Sequence, residues 1–248
     1  MLLAVDIGNS AIKFGLFEDE TLTSKFSIPT KRDSTDDEIR VAVAGRLSGP
    51  IDAAIVCSVV RGLEPAIASF LRESAGVEPT FVDNSFDFGL KINYEPLDSL
   101  GTDRLLASFA AVETYGAPCI VCSLGTATTI DMVNKDREFL GGVIAPGLEA
   151  MAEALHLKAP RLPRVDASRP PANLIGNSTT ESIRSGIFNG YVAMIEGLID
   201  HVTREYGEAS RIATGGNARI VTDFMDEIDP DLILHGLRMV NGRRSNRS

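Results

Sequence analysis

The chain has 248 residues, enough for one large domain or two smaller ones, each with its own core. It carries 34 acidic and 24 basic residues, a formal charge of −10, which argues against a nonspecific nucleic-acid binder with a basic surface. No apolar run approaches the roughly 18 residues of a membrane span, and Cys57, Cys119 and Cys122 are too few for a disulfide framework.

Met1 leads directly into a strand pattern, so no secretory signal is read and the expected compartment is the cytoplasm. "LLAVDI", "AIKFGLF" and "TLTSKFSI" read as three strands. Short turns at Gly8-Asn9-Ser10 and Glu18-Asp19-Glu20 would join them as an antiparallel meander. "STDDEIRVAVAGRL" predicts a helix capped by Ser34 or Thr35, with acids in its first turn. "DAAIVCSVV" is a buried strand, "GLEPAIASFLRESA" a helix and "PTFVDN" a short strand. "TDRLLASFAAVETYG" is an amphipathic helix that stops at Gly116.

The opening pattern then returns. "CIVCSLGTATTIDMVNKDREFLGGVIAPG" is again strand, glycine turn, strand, turn, strand. Gly8 and Gly125 stand about 117 residues apart in equivalent settings, which suggests duplication of one α/β unit. The expected division is residues 1–116 and 117–248. Helical segments follow around Leu148–Leu157 and Thr180–Tyr206, with the Pro-rich "KAPRLPRVDASRPPANLIGNST" between them as a long ordered loop. The strand "SRIATGG" and a last helix near "ARIVTDFM" close the second half. The terminal "GRRSNRS" reads as a frayed tail. The Cys-x-x-Cys of Cys119 and Cys122 lies in a strand pattern and reads as buried core thiols; with three scattered histidines, zinc is not expected.

Asp6 ends a buried-looking strand, and burying a charge costs several kcal/mol or more unless it is paired or meets a cation. A single glycine turn beside it reads most simply as a hairpin. Two such turns, one per half, point to phosphate binding, since glycine lets backbone N–H groups approach oxygens and Ser10, Thr126, Thr128 and Thr129 offer hydroxyls. Facing each other across a cleft, the two hairpins would hold a polyphosphate. Neither a G-x-x-x-x-G-K-[ST] loop nor a G-x-G-x-x-G fingerprint is present. "TGGNA" at 214–218 reads as a tight turn, or as glycines allowing flat contact with a nucleotide base or ribose. In "LGTDRLL", Asp103 is either an acid stabilised by a helix dipole or a general base beside Arg104, as phosphoryl transfer to an alcohol needs.

In order, "DIGNS", "GTDR", "GTATTID", "GGVIAPG", "SIRSGIFNGY" and "ATGGNA" closely resemble the type III pantothenate kinases of the acetate and sugar kinase/Hsp70/actin superfamily, from Met1 to about Val240. The resemblance implies two ribonuclease H-like (actin-like ATPase) domains of mixed sheets flanked by helices. It implies a homodimer that phosphorylates pantothenate with ATP and Mg²⁺, the first step of coenzyme A synthesis, with neither nucleic acid nor membrane as partner. By the same resemblance Asp6, Gly8, Asn9, Ser10, Lys13 and Thr126 meet ATP, and Asp6 also faces Mg²⁺. Asp103 is the proton acceptor; Tyr94, Gly101, Thr102, Asp103, Arg104 and Thr179 meet pantothenate. The family usually has Asp where this chain has Ser123, the position that binds a monovalent cation, K⁺ or NH₄⁺. A neutral hydroxyl is a weaker ligand and removes a negative charge. Ser10 replaces a usual Thr and Ala11 a usual Asn. Two other readings stay open: a catalytically weak or inactive nucleotide-binding regulatory relative, favoured by Ser123, and a kinase of another small alcohol, disfavoured by "GTDR" and "NYEP".

Overall fold

The computed structural model describes residues 1–47 and 49–245. It begins with the strands β1 (Leu2–Ile7), β2 (Ala11–Glu18) and β3 (Thr21–Pro29). Helix α1 (Asp36–Val43), strand β4 (Ala53–Ser58), helix α2 (Glu64–Ala75) and the short strands β5 (Pro79–Phe81) and β6 (Lys91–Ile92) come next. Helix α3 (Thr102–Tyr115) precedes a second meander, β7 (Cys119–Leu124), β8 (Ala127–Val133) and β9 (Glu138–Pro146). Then come α4 (Leu148–Lys158), α5 (Thr179–Tyr206), β10 (Ser210–Thr214), β11 (Glu227–Ile228) and α6 (Leu232–Ser245).

The chain forms two compact units. The first holds Met1–Leu90, Tyr94–Ala110 and the chain from Asp231 onward; the second holds Lys91–Asn93 and Ala111–Pro230. The first sheet has the order β3-β2-β1-β4-β5, and the second β11-β10-β7-β8-β9-β6. In each, an antiparallel meander is followed by parallel pairing of its first strand to a later one, β1 with β4 and β7 with β10. The order β3-β2-β1-β4-β5 recurs as β9-β8-β7-β10-β11, with β6 added at one edge, in keeping with the duplication read from the glycine turns.

One face of the first sheet packs Leu3, Val5, Ile7, Phe14 and Val56 against Ile39 and Val43 of α1 and Ile67, Phe70 and Leu71 of α2. Each such side chain contributes about 1.5–3 kcal/mol when removed from water. Thr35 caps α1 through a full capping box with Glu38. The other face of this sheet is covered by α6. In the second unit, Ile120, Cys122, Leu124, Ile130 and Met132 pack against Ile187, Tyr191, Ile195 and Ile199 of α5.

The end of the chain differs from the expectation. "ARIVTDFM" forms a 3₁₀ segment, Ala218–Phe224, and the last helix is α6, which groups with the first unit; a single division after residue 116 therefore leaves it on the wrong side. Two glycines, Gly236 and Gly242, weaken the helical signal of α6. Gly236 is there for packing: a Cβ on it would stand 3.1 Å from Leu106 and Ala110 of α3. Of the terminal basic cluster, Gly242 to Ser245 belong to α6, and the tail reading for 246–248 lies outside the described residues. Among the described residues no helix is long and apolar enough to cross a membrane.

Candidate active site

The first hairpin carries a buried charge. Asp6 pairs in register with Lys13 on β2 and with Cys57 on β4, so the three side chains share one face of the sheet. Asp6 is only 6% exposed. Burial pushes its carboxyl pKa up to about 6; Lys13 opposes the rise and the charge of Asp103 adds to it. The Cys57 thiol is also pushed up, first by burial and then by Asp6 and Asp103. The charge of Asp103, nearly a hundred residues further along the sequence, thus reaches Asp6 inside the first unit.

The turn itself is tied down. The Gly8 N–H donates to Ala11 O at 3.1 Å, and Thr30 donates from its hydroxyl to Gly8 O (2.7 Å) and from its backbone N–H to Ser10 O (3.0 Å). The Gly8 amide is spent within the hairpin, so it is not a group that meets a phosphate. Asn9 accepts a bond from Arg32 at 3.3 Å.

Asp103 sits in the first turn of α3. One carboxylate oxygen accepts from the Arg104 N–H at 2.9 Å. A Cβ on Gly101 would stand 2.5 Å from that same oxygen, so a side chain there would push the carboxylate aside. Burial raises the Asp103 pKa, while the Arg104 N–H and the guanidinium charge hold it back. The Arg104 guanidinium, 6% exposed with its residue, lies 5.5 Å from the Tyr94 ring centre and donates to the Tyr94 hydroxyl at 3.4 Å. Asn84 belongs to this cluster and carries no signal in the sequence. Its amide donates to Leu97 O (3.0 Å) and Leu100 O (2.7 Å) and accepts from the Thr102 hydroxyl at 2.9 Å. A lone Asn in a loop gives no pattern from which this could be read.

The second hairpin has the same frame and different chemistry. Ser123 pairs in register with Thr129 on β8 and Thr214 on β10, a row of neutral hydroxyls. The Gly125 N–H closes the turn to Ala127 O at 3.0 Å, Thr126 O accepts from Gly147 N–H at 3.1 Å, and Leu124 O accepts from Asn217 N–H at 3.1 Å. The "TGGNA" glycines therefore adjoin this hairpin. Thr128 and Thr129 point to opposite faces, as consecutive strand residues must. Thr128 is buried and bonds the Tyr191 hydroxyl at 2.6 Å on the α5 side, so it is withdrawn from the group of phosphate-facing hydroxyls. Thr129 donates to Asp131 at 3.2 Å. Asp131, 1% exposed, lies opposite Val121 and on the Ser123 face; nothing in the "GTATTID" pattern alone marks it out.

Thr179 opens α5 just after the Ser178 cap and lines a pocket of about 730 Å³ with Leu155, Leu162, Ile183 and Ile187. Thr126 lines a different pocket of the same unit, about 620 Å³, with Glu149, Arg164 and Asp166. The structure thus places Asp6, Lys13, Tyr94, Gly101, Thr102, Asp103 and Arg104 in the first unit and Ser123, Thr126 and Thr179 in the second, where Thr179 and Thr126 line different pockets. Cys119 and Cys122 are buried free thiols, three apart on one strand and hence on opposite faces; burial pushes Cys119 up to about 12. Among the described residues no group of three or more His, Cys, Asp or Glu could hold a metal unaided.

The fold is shared with solved structures of low sequence identity. A Baf family protein from Campylobacter jejuni superposes with a TM-score of 0.63 at 21% identity, covering 98% of this chain and 99% of that one. A ROK family glucokinase from Streptomyces griseus, solved with glucose and AMPPNP, gives 0.54 at 14% identity over 96% and 98%. The architecture is that of the sugar kinases and actin-like ATPases. Sequence is more specific. The pattern of the type III pantothenate kinases matches residues 2–201, and the type III pantothenate kinase of Desulfatibacillum aliphaticivorans is 38% identical over 99% of this chain and 100% of its own length. The chain belongs to the type III pantothenate kinase family.

Proposed function

We propose that this chain transfers the γ-phosphoryl group of ATP to the primary hydroxyl of pantothenate, giving 4'-phosphopantothenate for coenzyme A synthesis. The observation that carries the reading is the family match over residues 2–201, which takes in Asp6 and Asp103. Asp103 accepts the hydroxyl proton at its carboxylate; its raised pKa brings it nearer the operating pH, where a base works best. Arg104, stacked on Tyr94, binds an anionic group of the substrates and restrains the geometry of attack. Lys13, Asn9 and Ser10 hold the nucleotide phosphates, Gly8 shapes the turn that presents them, and Thr126 is a further ATP contact. Tyr94, Gly101, Thr102 and Thr179 bind pantothenate.

A buried carboxylate, Asp6, whose proton affinity is raised by burial and further by the charge of Asp103, suits a divalent cation held by one or two carboxylates plus phosphate oxygens, the usual manner of Mg²⁺. Asp6 would hold it, and when bound Mg²⁺ supplies positive charge to the phosphate oxygens. The Ser123 row suits K⁺ or NH₄⁺ less well, because its three side-chain oxygens are neutral. We read the protein as a cytoplasmic homodimer in which Thr179 reaches the partner's pantothenate. The exposed Leu155, Leu174 and Ile175 around that pocket support an interface there.

The test is a coupled assay of ADP release with ATP, Mg²⁺ and pantothenate, with and without K⁺ or NH₄⁺. Pantothenate-dependent turnover is expected; ATP binding without it would sink the reading. Sedimentation run beside the assay addresses assembly, since a fully active monomer at micromolar concentration would rule out the dimer.

A further inference from the structure

We infer that Asn84 is a positioning residue for the phosphoryl-transfer reaction: it fixes the turn from which Asp103 is presented. The inference rests on the pantothenate kinase reading for its kinetic part only. Residues 97–99 form a 3₁₀ turn, and α3 starts three residues later. The turn has three bonds of its own, from the Ser99 N–H and hydroxyl to Pro96 O and from Leu100 N–H to Leu97 O, and none of them reaches Gly101 or Thr102. Asn84 adds three from a single side chain. Both amide hydrogens go to carbonyls at the two ends of the turn, Leu97 and Leu100, and its oxygen takes the hydroxyl of Thr102. One planar amide thus spans the turn and the first residue of the helix.

Asp103 is the next residue along the chain. Its carboxylate is anchored by the Arg104 N–H, and that N–H also donates to Gly101 O at 3.1 Å. The direction of this amide depends on where Gly101 and Thr102 sit. Gly101 cannot be braced by a side chain of its own, because the Asp103 oxygen occupies the place of its Cβ. Bracing has to come from outside the turn, and Asn84, more than a dozen residues earlier, supplies it. A general base misplaced by about 1 Å loses on the order of 10²-fold in rate, while the hairpin that holds nucleotide is untouched. Loss of Asn84 should therefore separate turnover from nucleotide binding, which a general loss of folding would not do.

The experiment uses Asn84→Ala, and Asn84→Asp, which keeps the size and the Thr102 bond but sets a carboxylate oxygen against two carbonyls. Two measurements are made on each. Amide exchange at Arg104 and Leu105 should speed up by roughly 10-fold while β1 and β2 stay protected. The kcat for pantothenate phosphorylation should fall by about 10- to 100-fold with KM for ATP within about twofold of native, and the acid limb of the pH–rate profile should move. Unchanged exchange overturns the inference, and so does faster exchange with native kcat and pH profile, which would leave Asn84 a purely structural clamp. A native chain that does not turn over pantothenate sinks the functional reading instead, and exchange alone then decides whether Asn84 fixes the turn.

Discussion

The two glycine hairpins have the same frame and opposite electrostatics. At the end of β1 the row reads Lys13, Asp6, Cys57; at the equivalent place on β7 it reads Thr129, Ser123, Thr214. The first row buries a carboxylate and sets a cation beside it. The second row is neutral, and Asp131 lies one step further along β8 on the same face. Duplication preserved the backbone because the hairpin and its parallel partner strand are set by hydrogen bonds and core packing. The polar row was free to diverge, since it faces away from the cores on α1, α2 and α5. A shared fold in the two halves therefore says little about a shared chemical task.

The comparison is broken most severely at the first unit. Asp103→Asn keeps the size and removes the proposed proton acceptor, so turnover should fall by about 10²–10⁴-fold with nucleotide affinity little changed. Near-native turnover would mean that Asp103 is not the base. In the native enzyme the same carboxylate must be ionised, so kcat/KM should fall as pH drops through its raised pKa, above the ordinary 3.8.

Asp6→Asn comes next, with two readouts of opposite sign. Catalysis should drop on the order of 10²-fold, as for loss of a charged group at the phosphates. Stability of the ligand-free protein should rise. A carboxyl whose pKa goes up on folding, here from 3.8 to about 6, contributes stability at low pH that is lost as pH climbs through about 6. Above that pH the native chain buries a charge, and Asn does not, a difference of up to about 3 kcal/mol. Urea melts at pH 5 and pH 8 sample about half of it, roughly 1.4 kcal/mol: if native and variant keep the same gap at both, Asp6 is not strained by burial.

Ser123→Asp would sharpen the contrast by restoring a charge to the neutral row. The variant should gain K⁺-dependent activity or K⁺-dependent ATP affinity. Strong K⁺ activation of the native chain, unchanged in the variant, would show that the cation site is built from other residues. The smallest effect is expected at Thr128→Val, which removes the bond to Tyr191 on the α5 side. It should cost about 1–3 kcal/mol, because a buried hydroxyl loses its partner, and leave kcat and both KM values alone. A change in KM for ATP would put Thr128 back at the nucleotide.

Much of the fold and of the first unit's site is legible in the amino-acid sequence. The meanders, the capping box on α1 and the duplication follow from period-two strands, turn glycines and cap chemistry. Asp6, Asp103 and Arg104 stand out because each breaks the local pattern of an apolar strand or a helix start. Thr128 is misplaced when a run of hydroxyls is treated as one group, because alternation on a strand sends every second residue to the other side. Asn84 and α6 escape the sequence for a deeper reason. The value of Asn84 lies in contacts with residues more than a dozen positions away, and the helical pattern of α6 is diluted by a glycine needed at α3. Neither leaves a mark at its own place in the sequence.

The position of α6 has a consequence for the order in which the molecule can be assembled. The second unit is nearly continuous in sequence, from Ala111 to Pro230, whereas the first is interrupted by it and finished only by the chain after Asp231. On a ribosome, residues 1–110 emerge first, yet one face of β1, β2 and β4 stays uncovered until α6 is made. Joining α6 to that sheet also closes a loop of more than a hundred residues, an entropic cost that falls once the intervening unit has folded and drawn its ends together. The earliest part of the first unit to be synthesised is thus the last to be completed, and helix α3, which carries Asp103 and which Gly236 packs beside, matures with it.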